Sequence, residues 1–60
     1  MIPPVIESLM AELFHPEGWE TFLDHPNPHL KGRTPRSLID AGDSDKVEAY
    51  LIALAEGVVM

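Results

Sequence analysis

Prolines and helical spacing together limit what this 60-residue chain can fold into. Between the prolines, apolar residues recur three and four positions apart, which is the spacing of a helix with one buried face. Pro4 suits the first turn of a helix, and Pro16 ends that helix because the residue before a proline avoids helical geometry. Pro26 and Pro28 interrupt the chain again on either side of Asn27. Since no segment alternates as a strand does, the sequence predicts an all-α fold, a small bundle of about four short helices.

The residues at the segment ends indicate where these helices begin and stop. Thr34 followed by Pro35 is the pattern of an N-cap with proline at the first helical position. Gly42 and Gly57 are the residue type expected just after a helix C-terminus. The predicted helices run from Pro4 to before Pro16, from Pro16 to before Asp24, from Pro35 to Gly42, and from the segment 43–45 to Gly57.

The charge balance excludes several classes of partner. Ten Asp and Glu residues oppose four Lys and Arg residues, which gives a formal charge of −6. Lys31, Arg33 and Arg36 lie within six positions, but three cations in so acidic a chain cannot neutralise many phosphates. We therefore expect no direct nucleic-acid binding and no association with anionic membranes. Arg33 has two open interpretations: a buried structural role or a contact with a protein partner.

The sequence contains no recognisable catalytic or metal site. His25 and His29 are four residues apart, but the prolines between them prevent the helix that this ligand spacing needs. The acids at 40, 43 and 45 lack the central glycine and the final glutamate of a calcium loop and are better explained by helix capping. There is no cysteine. We expect neither catalysis nor a cofactor nor a metal, and the absence of a leader or a long apolar run favours a cytoplasmic protein.

Apolar surface beyond what a small core needs favours a protein-interaction module. The apolar set of the first helix covers about half its circumference, which is wide for one packing partner, so Ile6, Met10 and Phe14 are predicted to mediate self-association into a homo-oligomer. Ile52 lies off the core stripe of the last helix, close to Glu56. After Gly57 come three apolar residues, Val58, Val59 and Met60, which either fold over the core or bind a partner.

The segment 26–35, followed by Leu38 and Ile39, resembles the C-terminal toxin-binding domain of the Xre/MbcA/ParS-type antitoxins. The shared features are an Asn-Pro pair, a Gly-Arg-Thr-Pro corner and a last helix that ends at a glycine, over about Phe22 to Gly57. Phe22 stands where the family usually has Trp, and Lys31 replaces the first of two paired glycines. We expect one domain over residues 1–60 without the helix-turn-helix domain that binds operator DNA in relatives.

The resemblance implies a partner and a mechanism. The partner is a bacterial RES-type toxin, an NAD-degrading enzyme, which the antitoxin inhibits by covering its active site. The partner-binding residues are then Arg33, Ile52, Glu56, Val58, Val59 and Met60. The residues of the motif that serve structure are Asn27, Pro28, Leu30, Gly32, Thr34, Pro35 and Gly57. The alternative is a structural helical module that dimerises or tethers an assembly without inhibiting an enzyme.

Overall fold

Four short α-helices and two 3₁₀ turns make up the described part of the chain, residues 2–57 of a computed structural model. The helices are α1 (Pro4–Leu13), α2 (Trp19–Asp24), α3 (Pro35–Asp40) and α4 (Ser44–Ala55), and the 3₁₀ turns are Pro16–Gly18 and Pro28–Leu30. Within this range the only β-type pairing is one isolated bridge between Asn27 and Arg33. The predicted all-α class with about four helices is confirmed.

The core is formed mainly where α1 and α3 pack against α4. Val47 and Leu51, one turn apart on α4, have no exposed surface, and neither have Ile6 and Met10 on α1. Within residues 2–57 the hydrophobic core cluster consists of seven buried side chains: Ile6, Met10, Leu23, Leu30, Leu38, Val47 and Leu51. One side chain from α2 and one from the second 3₁₀ turn complete this core, so every element except the first 3₁₀ turn contributes to it.

The helix ends follow the chemistry of their boundary residues. Pro4 occupies the first turn of α1, and Phe14 is its C-cap, with a backbone N–H that donates to the Met10 carbonyl at 2.8 Å. The helix expected after Pro16 is divided: a 3₁₀ turn covers Pro16–Gly18, and α2 begins only at Trp19. The glycines after α3 and α4 have positive φ angles of 84° and 74°. None of the helices within residues 2–57 is long and apolar enough to cross a membrane.

Candidate partner-binding site

The corner between α2 and α3 is organised around Asn27. Its carbonyl oxygen accepts hydrogen bonds from the backbone N–H groups of Leu30 and Gly32, both at 2.9 Å. Its own N–H donates to the carbonyl of Arg33 at 3.1 Å, and its side-chain Oδ1 accepts from the N–H of His29 at 2.8 Å. Four backbone groups of the loop are thus satisfied by one residue. The asparagine side chain acts as the N-cap that starts the 3₁₀ turn Pro28–Leu30.

Two consecutive left-handed residues close this corner. Lys31 has φ 59° and ψ 35°, and Gly32 has φ 78°. Lys31 is the only non-glycine residue with positive φ among residues 2–57. A lysine therefore adopts here the backbone conformation that a glycine accepts without steric cost, so the replacement of a glycine by Lys31 leaves the turn in left-handed geometry.

The next two residues launch α3. Thr34 is its N-cap, and its Oγ1 accepts a hydrogen bond from the backbone N–H of Ser37 at 3.1 Å. Pro35 follows at the first helical position and is buried. Leu38, in the first turns of α3, is buried in the core, and both α3 and the 3₁₀ turn Pro28–Leu30 of the corner pack against α4.

Arg33 has a backbone role and an exposed side chain. Its carbonyl accepts from Asn27, and its N–H donates to Leu30 at 3.1 Å. Within residues 2–57 the two ion pairs join Arg36 to Asp24 and Lys46 to Asp43, so the guanidinium of Arg33 has no carboxylate partner in this range. The side chain is not buried, and it remains free for an external contact.

A groove of about 600 Å³ lies between this corner and α4. We call it the corner groove, and its lining residues are His29, Leu30, Lys31, Arg33, Leu38, Asp43, Lys46, Ala49 and Tyr50. Its floor is apolar because Leu30 and Leu38 are core residues whose upper surfaces face it. Three of the four Lys and Arg residues of the whole chain line this groove.

A row of aromatic rings borders the corner groove. Tyr50 stacks on His29 with ring centroids 5.5 Å apart, and its other neighbour is Phe22 at 6.3 Å. Phe22 in turn contacts Phe14 at 5.1 Å. The His29–Tyr50 pair separates the groove from a smaller hollow of about 370 Å³ next to His25. Within residues 2–57 no three His, Asp or Glu side chains come close enough to hold a metal ion.

The outward face of α4 is acidic with one apolar residue at its centre. Asp45, Glu48, Ile52 and Glu56 fall on one side of the helix at about 100° per residue. Ile52 is 38% exposed and Glu56 is exposed. We call these four residues the acidic face. Val58, Val59 and Met60, which were predicted to act with them, lie outside the described residues.

The residues predicted for self-association occupy the interior of a single chain. Ile6 and Met10 are fully buried in the core, and Phe14 is partly buried against it. The reason is that α4 covers the middle of the wide apolar stripe of α1. Val5, at 45% exposed, is the large apolar side chain of α1 that remains on the surface, so Ile6 and Met10 present no area to a second copy.

The ion pair between Arg36 and Asp24 fastens α3 to α2. The Arg36 Nε donates to Asp24 Oδ1 at 2.6 Å, and one terminal nitrogen donates to Oδ2 at 3.3 Å. The hydrogen bond from Arg36, together with its positive charge, lowers the pKa of Asp24, and the same contact raises the pKa of Arg36. Arg36, the third cation of the corner, therefore joins α2 and α3 at the surface, and Arg33 is the arginine without an ion-pair partner among residues 2–57.

A family comparison identifies the class of protein. Residues 10–57 match the model of the antitoxin Xre/MbcA/ParS C-terminal toxin-binding domain. The matched range holds most of the chain, including the Asn27 corner and α4, so the chain belongs to this family of toxin-binding domains. Neither the search of curated proteins nor the search of solved structures returned a match.

The corner was predictable from the sequence motif, whereas the groove between the corner and α4 was not. Lys46 and Tyr50 are 13 and 17 positions after Arg33, and no pattern along the chain relates them. They meet because α3 and the 3₁₀ turn Pro28–Leu30 both pack against α4. The one signal in the sequence was that all four Lys and Arg residues occur within a segment of 16 residues, at positions 31, 33, 36 and 46.

Proposed function

We propose that this domain binds and inhibits a RES-type NAD-degrading toxin by covering the entrance to its active site. Membership of a toxin-binding family gives the role of the domain. The RES type of the toxin comes from the resemblance of the corner motif to antitoxins of that system. The domain itself performs no catalysis in this proposal, and its Arg33, Ile52 and Glu56 contact the toxin.

The observation that carries the proposal is the acidic face of α4. Ile52 is exposed at the centre of three carboxylates, so this side of α4 presents one apolar side chain surrounded by negative charge. A positive entrance to the active site favours the binding of the anionic NAD by an enzyme that consumes it. A surface with carboxylates around one apolar side chain is complementary to such an entrance, and the net charge of −6 favours rapid encounter.

The contribution of Ile52 can be estimated from its exposure. Full burial of an isoleucine side chain is worth about 1.5–3 kcal/mol, and 38% of it remains to be buried. The expected contribution to binding is therefore about 1 kcal/mol, or about a fivefold change in Kd. Glu56 adds a charge at the same face.

The first experiment is co-expression of the chain with the RES-type product encoded beside it, with growth and cellular NAD as readouts. The proposal expects both to be restored. Purified Ile52→Ser should then bind the toxin about fivefold more weakly. Val5→Ser is the matched control, because Val5 is a similarly exposed β-branched residue on α1. It should bind as the unmodified chain does.

The tail gives a second test of the same proposal. Removal of Val58, Val59 and Met60 should abolish inhibition while the helical circular dichroism signal is retained. If the shortened chain still inhibits the toxin fully, the tail is not part of the contact surface. A chain that binds the toxin and leaves NAD degradation intact would instead act as a structural tether, and active-site covering would then be wrong.

A further inference from the structure

The charges of the domain are strongly segregated. The corner groove has three cations, Lys31, Arg33 and Lys46, and one carboxylate, Asp43, for a net charge of +2. The rest of the chain has nine carboxylates and one cation, for a net charge of −8. A positive groove on a negative protein favours an acidic partner surface, whereas the acidic face of α4 favours a basic one.

We propose that the corner groove is the docking site for an acidic segment of the bound toxin, one that carries an apolar side chain between its carboxylates. This rests on the proposed function, since it assigns a second contact to the same partner. Lys31, Arg33 and Lys46 pair with the carboxylates of the segment. Its apolar side chain lies on the floor formed by Leu30 and Leu38.

The present contacts of the groove cations leave them able to pair with a carboxylate of another protein. The guanidinium of Arg33 lacks a carboxylate partner within residues 2–57. The Nζ of Lys46 is 3.6 Å from Asp43 Oδ1, a long contact between two half-exposed groups, so this lysine can be shared with a second carboxylate. Lys31 is exposed at the rim of the groove and has no ion-pair partner within residues 2–57.

The same features exclude other occupants. A nucleic acid needs many cations along its path and is repelled by the charge of −8 around the groove. A small phosphate ligand needs polar groups that are held in place, but no polar or charged side chain within residues 2–57 is buried. A protein segment instead gains from the apolar floor and from charge complementarity at the rim together.

The position of the groove fits a single large partner. Ala49 and Tyr50 line the groove from α4, and Ile52 and Glu56 lie on the adjoining side of the same helix. A toxin that receives the acidic face at its positive entrance therefore brings neighbouring surface onto the groove. The two contacts have opposite charge signs, which fixes the orientation of the domain on the toxin.

The test compares two variants that change net charge equally. Arg33→Gln with Lys46→Gln removes two positive charges from the groove. Ser8→Glu with Ala11→Glu adds two negative charges at exposed positions of α1, away from the groove. The groove variant should raise the Kd for the toxin at least about fivefold, and the control less than about twofold. The difference should shrink between about 0.15 M and about 0.5 M salt.

Photo-crosslinking identifies the occupant. Ala49→p-benzoylphenylalanine places the probe in the groove, and Ala11→p-benzoylphenylalanine is the control on α1. A toxin peptide that contains Asp or Glu, captured from position 49 only, supports the proposal. Capture of a second copy of the chain, or of a toxin segment without acids, overturns it.

The outcomes for the groove and for the proposed function are separate. If the unmodified chain inhibits the toxin and the groove variant binds equally well, the groove proposal alone is wrong. If the unmodified chain binds no toxin, the proposed function is wrong and the groove has no such occupant. The substituted side chains are exposed, so the helices should remain intact in every variant. Circular dichroism of each variant checks this.

Discussion

The replacement Lys31→Gly tests whether the corner carries backbone strain. Lys31 has φ 59° and ψ 35°, where the Cβ of an L-residue costs about 1–2 kcal/mol. Glycine removes this cost but loses about 0.5–1 kcal/mol through its greater freedom in the unfolded chain. The net expectation is a gain of about 0.5–1 kcal/mol in the free energy of unfolding.

This gain is measurable in so small a domain. About 1 kcal/mol shifts the Tm of a domain of 60–100 residues by about 4–8 °C. Thermal unfolding of Lys31→Gly, followed by far-ultraviolet circular dichroism, should therefore show a Tm increase of about 2–8 °C. The Tm is compared at equal protein concentration, so that any self-association affects each variant alike.

Two further variants isolate the backbone contribution. Lys31→Ala removes the charge and the long side chain but keeps the Cβ, so it should gain little. Gly32→Ala places a Cβ at φ 78°, where no atom lies within 4 Å. The backbone strain of about 1–2 kcal/mol is offset by about 0.5–1 kcal/mol from the reduced freedom of the unfolded chain, so the net loss should be about 0.5–1 kcal/mol. If Lys31→Ala stabilises as much as Lys31→Gly, the side chain and not the backbone is responsible, and the strain argument is refuted.

Three more predictions follow from the packing and the charges. Leu51→Ala removes a fully buried side chain at a cost of about 2–5 kcal/mol, which is most of the stability that a core of this size supplies. The helical circular dichroism signal at about 25 °C should therefore largely disappear. Glu56→Ala, at an exposed position of the same end of the chain, should retain that signal. The ion pair with Arg36 lowers the pKa of Asp24 below its ordinary 3.8. The stability that this pair contributes is therefore complete above pH 3.8 and is lost as the pH falls through the lowered pKa. On acidification Tm should then fall further in the unmodified chain than in Arg36→Gln, which lacks the pair at every pH. The association rate with the toxin should fall as salt increases, and a rate independent of salt would contradict steering by the charge of −6.

The helix boundaries were predictable because their causes are local. Proline at the first turn, a threonine cap and a glycine after the last turn act within a few residues of the boundary. Thr34 and Pro35 accordingly start α3 where the sequence indicated. The 3₁₀ turn at Pro16–Gly18 was not predictable in this way, because the spacing of apolar residues does not distinguish a 3₁₀ turn from the first turn of an α-helix.

The use of each apolar face was less predictable because it depends on tertiary packing. Periodicity identified the wide stripe of α1 but not what covers it. In the structure α4 covers Ile6 and Met10, and the prediction that these two residues mediate self-association finds no exposed surface to support it. Ile52 was different, since its place among acids on a helix wheel already predicted exposure.

Lysine at position 31 costs backbone strain and adds a positive charge to the corner groove. The core of a domain of this size supplies only about 3–5 kcal/mol of stability, and a lysine in left-handed backbone geometry reduces it by about 1–2 kcal/mol. Glycine at this position keeps the turn but places no charge on the rim. Lysine keeps the turn and adds one of the three cations that line the groove. Lys31→Gly should therefore be more stable than the unmodified chain and bind the toxin more weakly, two effects of opposite sign that a purely structural corner would not produce together.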